Sequence, residues 1–221
     1  MKYIKHFLAL SAIYFSATVM ADAPNEFDDA LLKLQQSWAS VNYEYDGKEQ
    51  EEVFEKLNLE AEQLAFNYPD KAEAWIWKGI VESSFAGAKG GLGALSLAKQ
   101  AKQSFEKAIE IDGTALSGSA YTSLGTLYHK VPGWPIAFGD DDDAKIFLEK
   151  ALTINPNGLD ANYFYGEFML DERKYEKAKS YLVKAKSAPA RELRPLADKY
   201  RQGEIDVLLA KVEKKLKKKK H

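Results

Sequence analysis

Apolar residues recur at helical spacing along most of the chain, and the alternation typical of strands is missing. The first such pattern predicts a helix that stops near Asp46-Gly47. A second pattern follows and ends before Pro69, which cannot continue a helix. We expect these two helices, within residues 22–69, to form an antiparallel pair.

The downstream part of the chain repeats a helical hairpin with small and bulky residues at fixed positions. The clearest copy runs from Leu159 to Pro189, and its first helix carries Tyr165-Gly166. Its second helix carries Tyr175, Ala178, Leu182 and Ala185. Small residues let two helices approach closely, and the bulky residue fills the space beside them. This spacing predicts a closely packed helix pair.

Two further copies of the hairpin precede this one, each with an insertion between its helices. In the middle copy the matching residues are Tyr121, Leu124, Gly125, Tyr128, Ala144, Leu148, Ala151 and Pro156. In the first copy they are Trp75, Gly79, Ala101, Phe105 and Ala108. A unit of this kind buries its apolar face by stacking on its neighbours, so the end units need caps.

The predicted architecture is therefore all-α, a solenoid of helical hairpins with flanking helices. Three hairpins occupy residues 70–190, after the N-terminal pair. The last segment, residues 191–221, supplies a capping helix between Leu193 and Leu216 and then a basic tail.

The repeated residues resemble the tetratricopeptide-repeat family over roughly Asp70 to Pro189. That resemblance implies a right-handed solenoid whose concave face, lined by the first helices, holds a peptide or a partner protein. Carried over position by position, the partner-binding residues would be Ile76, Ile80, Thr122, Thr126, His129, Tyr163, Glu167 and Leu170.

One subfamily of these proteins grips C-terminal carboxylates with lysines and asparagines on the concave face. This chain carries Ile76, Ile80, Thr122, Thr126, Tyr163 and Glu167 at those positions instead. Two unpaired carboxylates on the face would also repel a third. Recognition of chaperone tails is therefore not expected.

A second, narrower resemblance is to the T-components of tripartite ATP-independent periplasmic (TRAP) transporters. Those exported repeat proteins also carry irregular insertions between hairpin helices and a Gly-Asp step that opens a helix, as Gly139-Asp140 does here. The resemblance implies an accessory that binds a small hydrophobic ligand, or a solute-binding protein, for a transporter. Many T-components are lipoproteins, whereas this chain has no cysteine to acylate.

The N-terminus has the pattern of a secretory signal. Lys2 and Lys5 precede an apolar run from Phe7 to Met20, and Val19 and Ala21 suit a signal peptidase. We expect residues 1–21 to be removed and the mature chain to lie in the periplasm of a Gram-negative bacterium. The alternative is an uncleaved anchor, although the run is shorter than the roughly 20 residues that span a bilayer.

Composition narrows the possible partners. The whole chain has a net charge of −2. The segment from Lys211 to Lys220 has a charge of +6 and the two leader lysines add +2, so the part of the chain between them has a charge of −10. An acidic body argues against nucleic-acid binding, which needs clustered basic residues. The lysine tail is either a solvated segment or a weak contact for anionic lipids.

Three irregular segments invite functional interpretation. The loop that contains Trp134 and Phe138 is either the aromatic edge of a binding groove or a cover that tucks Trp134 into the core. The glycine-rich stretch 86–93 lacks the features of a phosphate loop and predicts a flexible connection or a helix break. Asp140 to Asp143 are consecutive, which fits an N-cap better than a calcium loop.

No set of residues in the sequence predicts catalysis, a cofactor or a metal site. His129 is the one histidine expected within the fold, and no acid–base partner is evident for it. The function predicted is a non-catalytic periplasmic scaffold that binds a protein or peptide partner on its concave face. The alternative is the T-component-like accessory, for which a transporter component is the partner.

Overall fold

The computed structural model describes residues 26–219, so the predicted leader, residues 1–21, lies outside the described residues. Within that range the chain forms nine helices and no strand of a sheet. Their bounds are α1 Glu26–Glu44, α2 Gly47–Asn67, α3 Ala72–Lys89, α4 Gly91–Asp112, α5 Ala115–Lys130, α6 Asp141–Ile154, α7 Leu159–Asp171, α8 Tyr175–Lys186 and α9 Pro195–Lys219. The predicted all-helical hairpin fold is confirmed.

Three hairpins, α3–α4, α5–α6 and α7–α8, are built by the same contact between a glycine and a bulky side chain. A Cβ placed on Gly79, Gly125 or Gly166 would lie 2.5, 2.8 or 2.8 Å from the opposing side chain. Those opposing residues are Phe105, Leu148 and Leu182. The alanines that flank each of them are fully buried. The repeat in the sequence is therefore a repeat of one close helix crossing.

The insertion predicted in the first hairpin is helical. α3 and α4 have 18 and 22 residues, whereas α7 and α8 have 13 and 12. The extra residues lengthen both helices, and the chain reverses at Gly90 and Gly91, which both have positive φ. The glycine-rich stretch is thus the break between two long helices.

The second hairpin begins with an unusual turn. Leu116, Ser117 and Gly118 all lie in the left-handed region, with φ of 45°, 58° and 77°. Left-handed backbone costs roughly 1–3 kcal/mol at a residue other than glycine. Just before the turn, Asp112 Oδ1 accepts hydrogen bonds from the backbone N–H and hydroxyl of Thr114.

The insertion of the second hairpin is a true loop between α5 and α6. It ends at Asp140, whose carboxylate accepts hydrogen bonds from the backbone N–H groups of Asp142 and Asp143, at 2.9 and 3.0 Å. Asp140 is therefore the N-cap of α6, as predicted from the sequence. The acidic residues that follow lie at the positive end of the helix dipole.

The last helix, α9, joins the two ends of the solenoid. With 25 residues it is about 37 Å long. Near its start, Ala197 packs into the apolar cluster that contains most of the buried apolar side chains of α1, α2 and α3. Farther along, Ile205 and Val212 are fully buried against α7 and α8. Between these contacts Tyr200 stacks on Tyr43 of α1, with ring centroids 4.6 Å apart.

Candidate functional site

The inner helices and the start of α9 enclose a cavity of about 240 Å³. The first helix of each hairpin contributes to it, and so do α1 and the segment before α9. The apolar and aromatic lining residues are Trp38, Tyr43, Trp77, Ile80, Leu127, Phe164 and Ala197. The polar lining residues are Ser83, Ser84, Ser119, Thr122, Ser123, Thr126, Lys130, Asp160, Arg191, Arg194 and Arg201. The concave face is therefore partly covered rather than an open groove.

Asp160, at the start of α7, organises the charges of this cavity. Its carboxylate oxygens lie 2.5 Å from Arg191 and 3.2 Å from Arg201. Burial alone would raise the pKa of the Asp160 carboxyl, but the guanidinium groups of Arg201 and Arg191 outweigh burial and lower it. In its other salt bridge Arg191 pairs with Asp198, and in its other salt bridge Arg201 pairs with Glu204; both carboxylates are on α9. α9 is thus pinned to α7 by ion pairs.

Arg194 differs from the other two arginines, because it forms no salt bridge and no side-chain hydrogen bond among residues 26–219. Its guanidinium lies over the Trp77 ring, 4.9 Å from the centroid. Its Nε is shielded from solvent and has no acceptor, and neither has the Nε1 of Trp77. Burial and the nearby Arg191 lower the pKa of Arg194 to about 10, so the side chain stays protonated at neutral pH.

A second cavity, of about 520 Å³, adjoins the first. Its wall includes the left-handed turn at Leu116 and Ser117 and the loop before α7. The two cavities share the side chains of Trp77, Ser119, Thr122, Asp160, Arg191 and Arg194. Arg194 and its neighbours therefore separate two spaces on the same face.

Among the residues expected to bind a partner, Ile80, Thr122 and Thr126 line the first cavity. Thr122 is nonetheless 5% exposed, so little of it is accessible. Thr126 is half-buried and donates its hydroxyl hydrogen to the Thr122 carbonyl oxygen. Replacing Thr126 would therefore change the cavity without emptying the core.

Three other residues that were expected on an open face lie in the core, and that expectation is corrected. Ile76, Tyr163 and Leu170 are 0%, 7% and 4% exposed. The physical reason is that Ile76 and Leu170 belong to apolar core clusters and that Tyr163 is covered from α9. The guanidinium of Arg201, for example, covers the Tyr163 ring at 4.2 Å from its centroid.

Glu167 and His129 belong to a polar network beside the cavity. Lys130 lies 3.1 Å from Glu167 and 3.3 Å from Asp171. His129 Nδ1 lies 2.7 Å from Asp141, and its Nε2 lies 3.1 Å from Asp171. Burial would raise the pKa of Asp171, but the hydrogen bond from His129 and the charge of Lys130 lower it. The network joins α5, α6 and α7, and Glu167 is paired with Lys130.

The aromatic residues of the loop between α5 and α6 are separate from the cavity. Trp134 is 90% exposed, so the interpretation in which it tucks into the core is wrong. It is not part of the lining of the described cavity either. Phe138 is half-buried and packs edge-on against Tyr128, with ring centroids 5.5 Å apart. The loop therefore presents an exposed tryptophan that does not line the cavity.

Sequence reasoning missed the contribution of α1 and α9 to the cavity, chiefly Trp38, Tyr43 and the three arginines. One signal could have found the arginines. The chain has four arginines among 31 basic residues, and three of the four fall within residues 191–201. Arginine is preferred over lysine where a side chain must pair with carboxylates or stack on aromatic rings.

The hairpins define the class of this protein. A tetratricopeptide-repeat family model matches residues 136–157, which cover the end of the second loop and α6. This match and the three hairpins that share one helix crossing support a tetratricopeptide-repeat architecture. Proteins of this fold act as protein-interaction scaffolds.

Comparisons with solved structures and with curated proteins give a structural similarity but no curated relative. A solved structure similar to this chain comes from work on the functional characterisation of Pseudomonas aeruginosa pilF. The two chains are 16% identical, the match covers 87% of this chain and 91% of that chain, and the TM-score is 0.36. No curated protein matches the chain. The comparisons do not support the resemblance to TRAP T-components.

The described residues form neither a membrane-spanning helix nor a metal-binding group of side chains. Between Glu26 and Lys219 no helix is long and apolar enough to cross a membrane. In the same range no group of three or more histidine, cysteine, aspartate or glutamate residues is arranged to hold a metal ion.

Proposed function

We propose that this protein is a non-catalytic scaffold that holds a short segment of a partner protein on its concave face. The observation that carries the proposal is the lining of the first cavity. All three hairpins, α1 and α9 contribute side chains to it, and aromatic rings, hydroxyl groups and cations alternate there. Such a mixture suits a peptide, whose backbone needs donors and acceptors and whose side chains need apolar contacts.

The position of α9 limits what the concave face accepts. Because α9 packs along part of that face, a long helix of a partner would have to displace the ion pairs at Asp160. We therefore propose a short or extended segment rather than a long helix as the bound element. His129, which was considered for chemistry, lies outside the cavity lining.

We further propose that the protein works in the periplasm. The support is the predicted leader, whose basic start, apolar run and small residues before Asp22 fit a cleaved secretory signal. Fractionation of expressing cells and sequencing of the mature N-terminus test this proposal. A chain that starts at Asp22 in the periplasmic fraction supports it, and an intact leader in the cytoplasmic or membrane fraction contradicts it.

The scaffold proposal is tested by capture of partners with two matched variants. Thr126→Arg fills the cavity, whereas Thr153→Arg makes the same change on the exposed side of α6. The two threonines are well matched, because each donates its hydroxyl hydrogen to a carbonyl four residues earlier. The proteins are purified from cells that express the full chain, and proteins that co-purify are identified by mass spectrometry.

We expect a specific partner to be retained by the wild-type protein and by Thr153→Arg but lost with Thr126→Arg. Circular dichroism must show that both variants keep the wild-type helix content. A partner that binds all three proteins equally would contradict docking in the cavity, although the scaffold role itself could then rest on another face.

A second candidate function is that of a small-ligand accessory to a transporter. The observation that favours it is the aromatic wall formed by Trp38, Trp77 and Phe164 in a cavity of small-molecule size. Trp134 is not among the residues that line this cavity. Native mass spectrometry of the purified protein tests the proposal, because a retained small molecule or a co-purifying solute-binding protein would favour it over the scaffold.

A further inference from the structure

Among residues 26–219, two N–H donors that are shielded from solvent have no acceptor, and both belong to side chains that line the first cavity. They are Nε1 of Trp77, a residue that is 1% exposed, and Nε of Arg194. The Arg194 guanidinium lies 4.9 Å from the Trp77 ring centroid. Buried donors are normally paired, since an unpaired one costs about 1–3 kcal/mol. The pair therefore calls for an acceptor.

The acidic residues around these donors are already engaged. Asp160 pairs with Arg191 and Arg201, Asp198 pairs with Arg191, and Glu204 pairs with Arg201. Within the described part of the chain, Arg191 and Arg201 form salt bridges and Arg194 forms none. The described residues therefore supply no acceptor for Arg194 Nε or Trp77 Nε1.

The surroundings of the two donors set the size and polarity of a ligand. The cavity that Trp77 and Arg194 line has a volume of about 240 Å³, below the range of roughly 300–1,000 Å³ usual for drug-sized ligands. Trp38 and Phe164 supply apolar surface in the same space. Ser84 Oγ accepts a hydrogen bond from Trp38 Nε1 at 2.9 Å, and its own hydrogen stays free to donate.

We propose that Arg194 and Trp77 bind the carboxylate of a ligand whose apolar or aromatic body lies against Trp38 and Phe164. A guanidinium fork matches a carboxylate in shape and charge. A doubly charged phosphate is less suitable, because the Asp160 carboxylate also lines the cavity. The space suits one small ring, so the ligand is either a free acid or the last residue of a peptide.

This inference deepens the proposed function, because a partner that ends in an apolar residue would supply both the body and the carboxylate. The proposed site differs from the clamp of lysines and asparagines that one subfamily of tetratricopeptide-repeat proteins carries on its concave face. The donors here come from α3 and from the segment that leads into α9. The inference also holds for a free acid if no protein partner docks in the cavity.

Isothermal titration calorimetry tests the proposal with N-acetylphenylalanine, its amide and inorganic phosphate. The wild-type protein is compared with Arg194→Gln and with Arg173→Gln, which removes an exposed arginine outside the cavity. We expect the acid to bind and the amide and phosphate to bind at least about tenfold more weakly. Arg194→Gln should weaken the acid by about 10- to 100-fold, and Arg173→Gln should leave it unchanged.

Three results would each overturn the proposal: an amide that binds as tightly as the acid, equal binding of the acid by Arg194→Gln and wild type, or no binding of the acid at millimolar concentration. Phosphate that binds as tightly as the acid would also overturn the choice of a carboxylate. The comparison of acid and amide uses the wild-type protein, so it does not depend on how well a variant folds.

A further arm separates the two sources of the carboxylate. A short peptide that ends in phenylalanine is titrated with a free and with an amidated C-terminus. Tighter binding of the free peptide than of N-acetylphenylalanine assigns the site to a partner's chain end, and tighter binding of the single residue assigns it to a small acid. Loss of partner capture with Thr126→Arg reports on the scaffold separately, so either proposal can fail alone.

Discussion

The close helix crossing that recurs in each hairpin makes a sharp prediction for Gly125. An added Cβ at this position would lie 2.8 Å from Leu148 Cγ, 2.9 Å from the Ala144 carbonyl oxygen and 3.0 Å from the Leu148 backbone nitrogen. Two of these three atoms belong to the backbone, so no change of rotamer relieves the clash. Gly125→Ala must therefore push α5 and α6 apart.

The size of the effect follows from two opposing contributions. Alanine favours a helix over glycine by about 1 kcal/mol. Overpacking of a close contact costs about 1–3 kcal/mol. Gly87 in α3 provides the matched control, because a Cβ there would meet nothing within 4 Å. The difference between Gly125→Ala and Gly87→Ala cancels the helix preference and leaves the overpacking cost alone.

We expect Gly87→Ala to raise the Tm above that of the wild-type protein. The Tm of Gly125→Ala should lie about 2–12 °C below the Tm of Gly87→Ala. Thermal unfolding followed by far-ultraviolet circular dichroism measures both values. If Gly125→Ala were as stable as Gly87→Ala, the helices would tolerate a wider crossing, and the close-contact argument for all three hairpins would fail.

Four further predictions concern buried charges, α9 and the tail. Burial raises the pKa of Glu82 above 4.5 despite hydrogen bonds from Lys78 and Ser104, so the folded chain holds the Glu82 proton more tightly than the unfolded chain does. Urea unfolding over a pH series should therefore show the stability of Glu82→Gln relative to wild type increasing as the pH rises above that value. Asp160→Asn should cost about 2–3 kcal/mol, since it removes one of the two carboxylate partners of each of Arg191 and Arg201, and limited proteolysis should then cut α9 sooner than in the wild-type protein. A double-mutant cycle with Tyr43→Ala and Tyr200→Ala should give a coupling of about 0.5–1.5 kcal/mol, and zero coupling would contradict the stacking. Replacement of the exposed Lys214, Lys215, Lys217, Lys218 and Lys219 by glutamine should reduce sedimentation with anionic vesicles, and equal sedimentation would show that the tail does not bind lipid.

The hairpins were readable from the sequence because their packing depends on local spacing. An alanine, a bulky residue and an alanine on one helix, opposite a glycine on the other, specify one close crossing wherever they occur. Asp140 was readable for the same reason, because an N-cap is decided by its own neighbours. The first insertion was harder to interpret, since Gly90 marks a break without showing that the segments on both sides are helical.

The candidate site was less predictable, because it depends on where α9 packs. The helical pattern between Leu193 and Leu216 shows that the segment buries an apolar face, but it does not show against which elements. In the structure the start of α9 packs near α1 and α3, and its later turns pack on α7 and α8. Tyr163 is consequently covered by Arg201, and Arg194 is brought to a cavity that the repeat pattern alone does not predict.

The contact between α9 and α1 also bears on how the protein unfolds. In an open array of repeats each unit touches its neighbours alone, and the terminal units can fray independently. Here the Tyr43–Tyr200 stack and the burial of Ala197 link the first helix to the last, so the chain of neighbour contacts closes into a ring. Neither end is then a free end. Loss of α9 would deprive the first hairpin of a neighbour as well as the last, and unfolding should approach a single cooperative event.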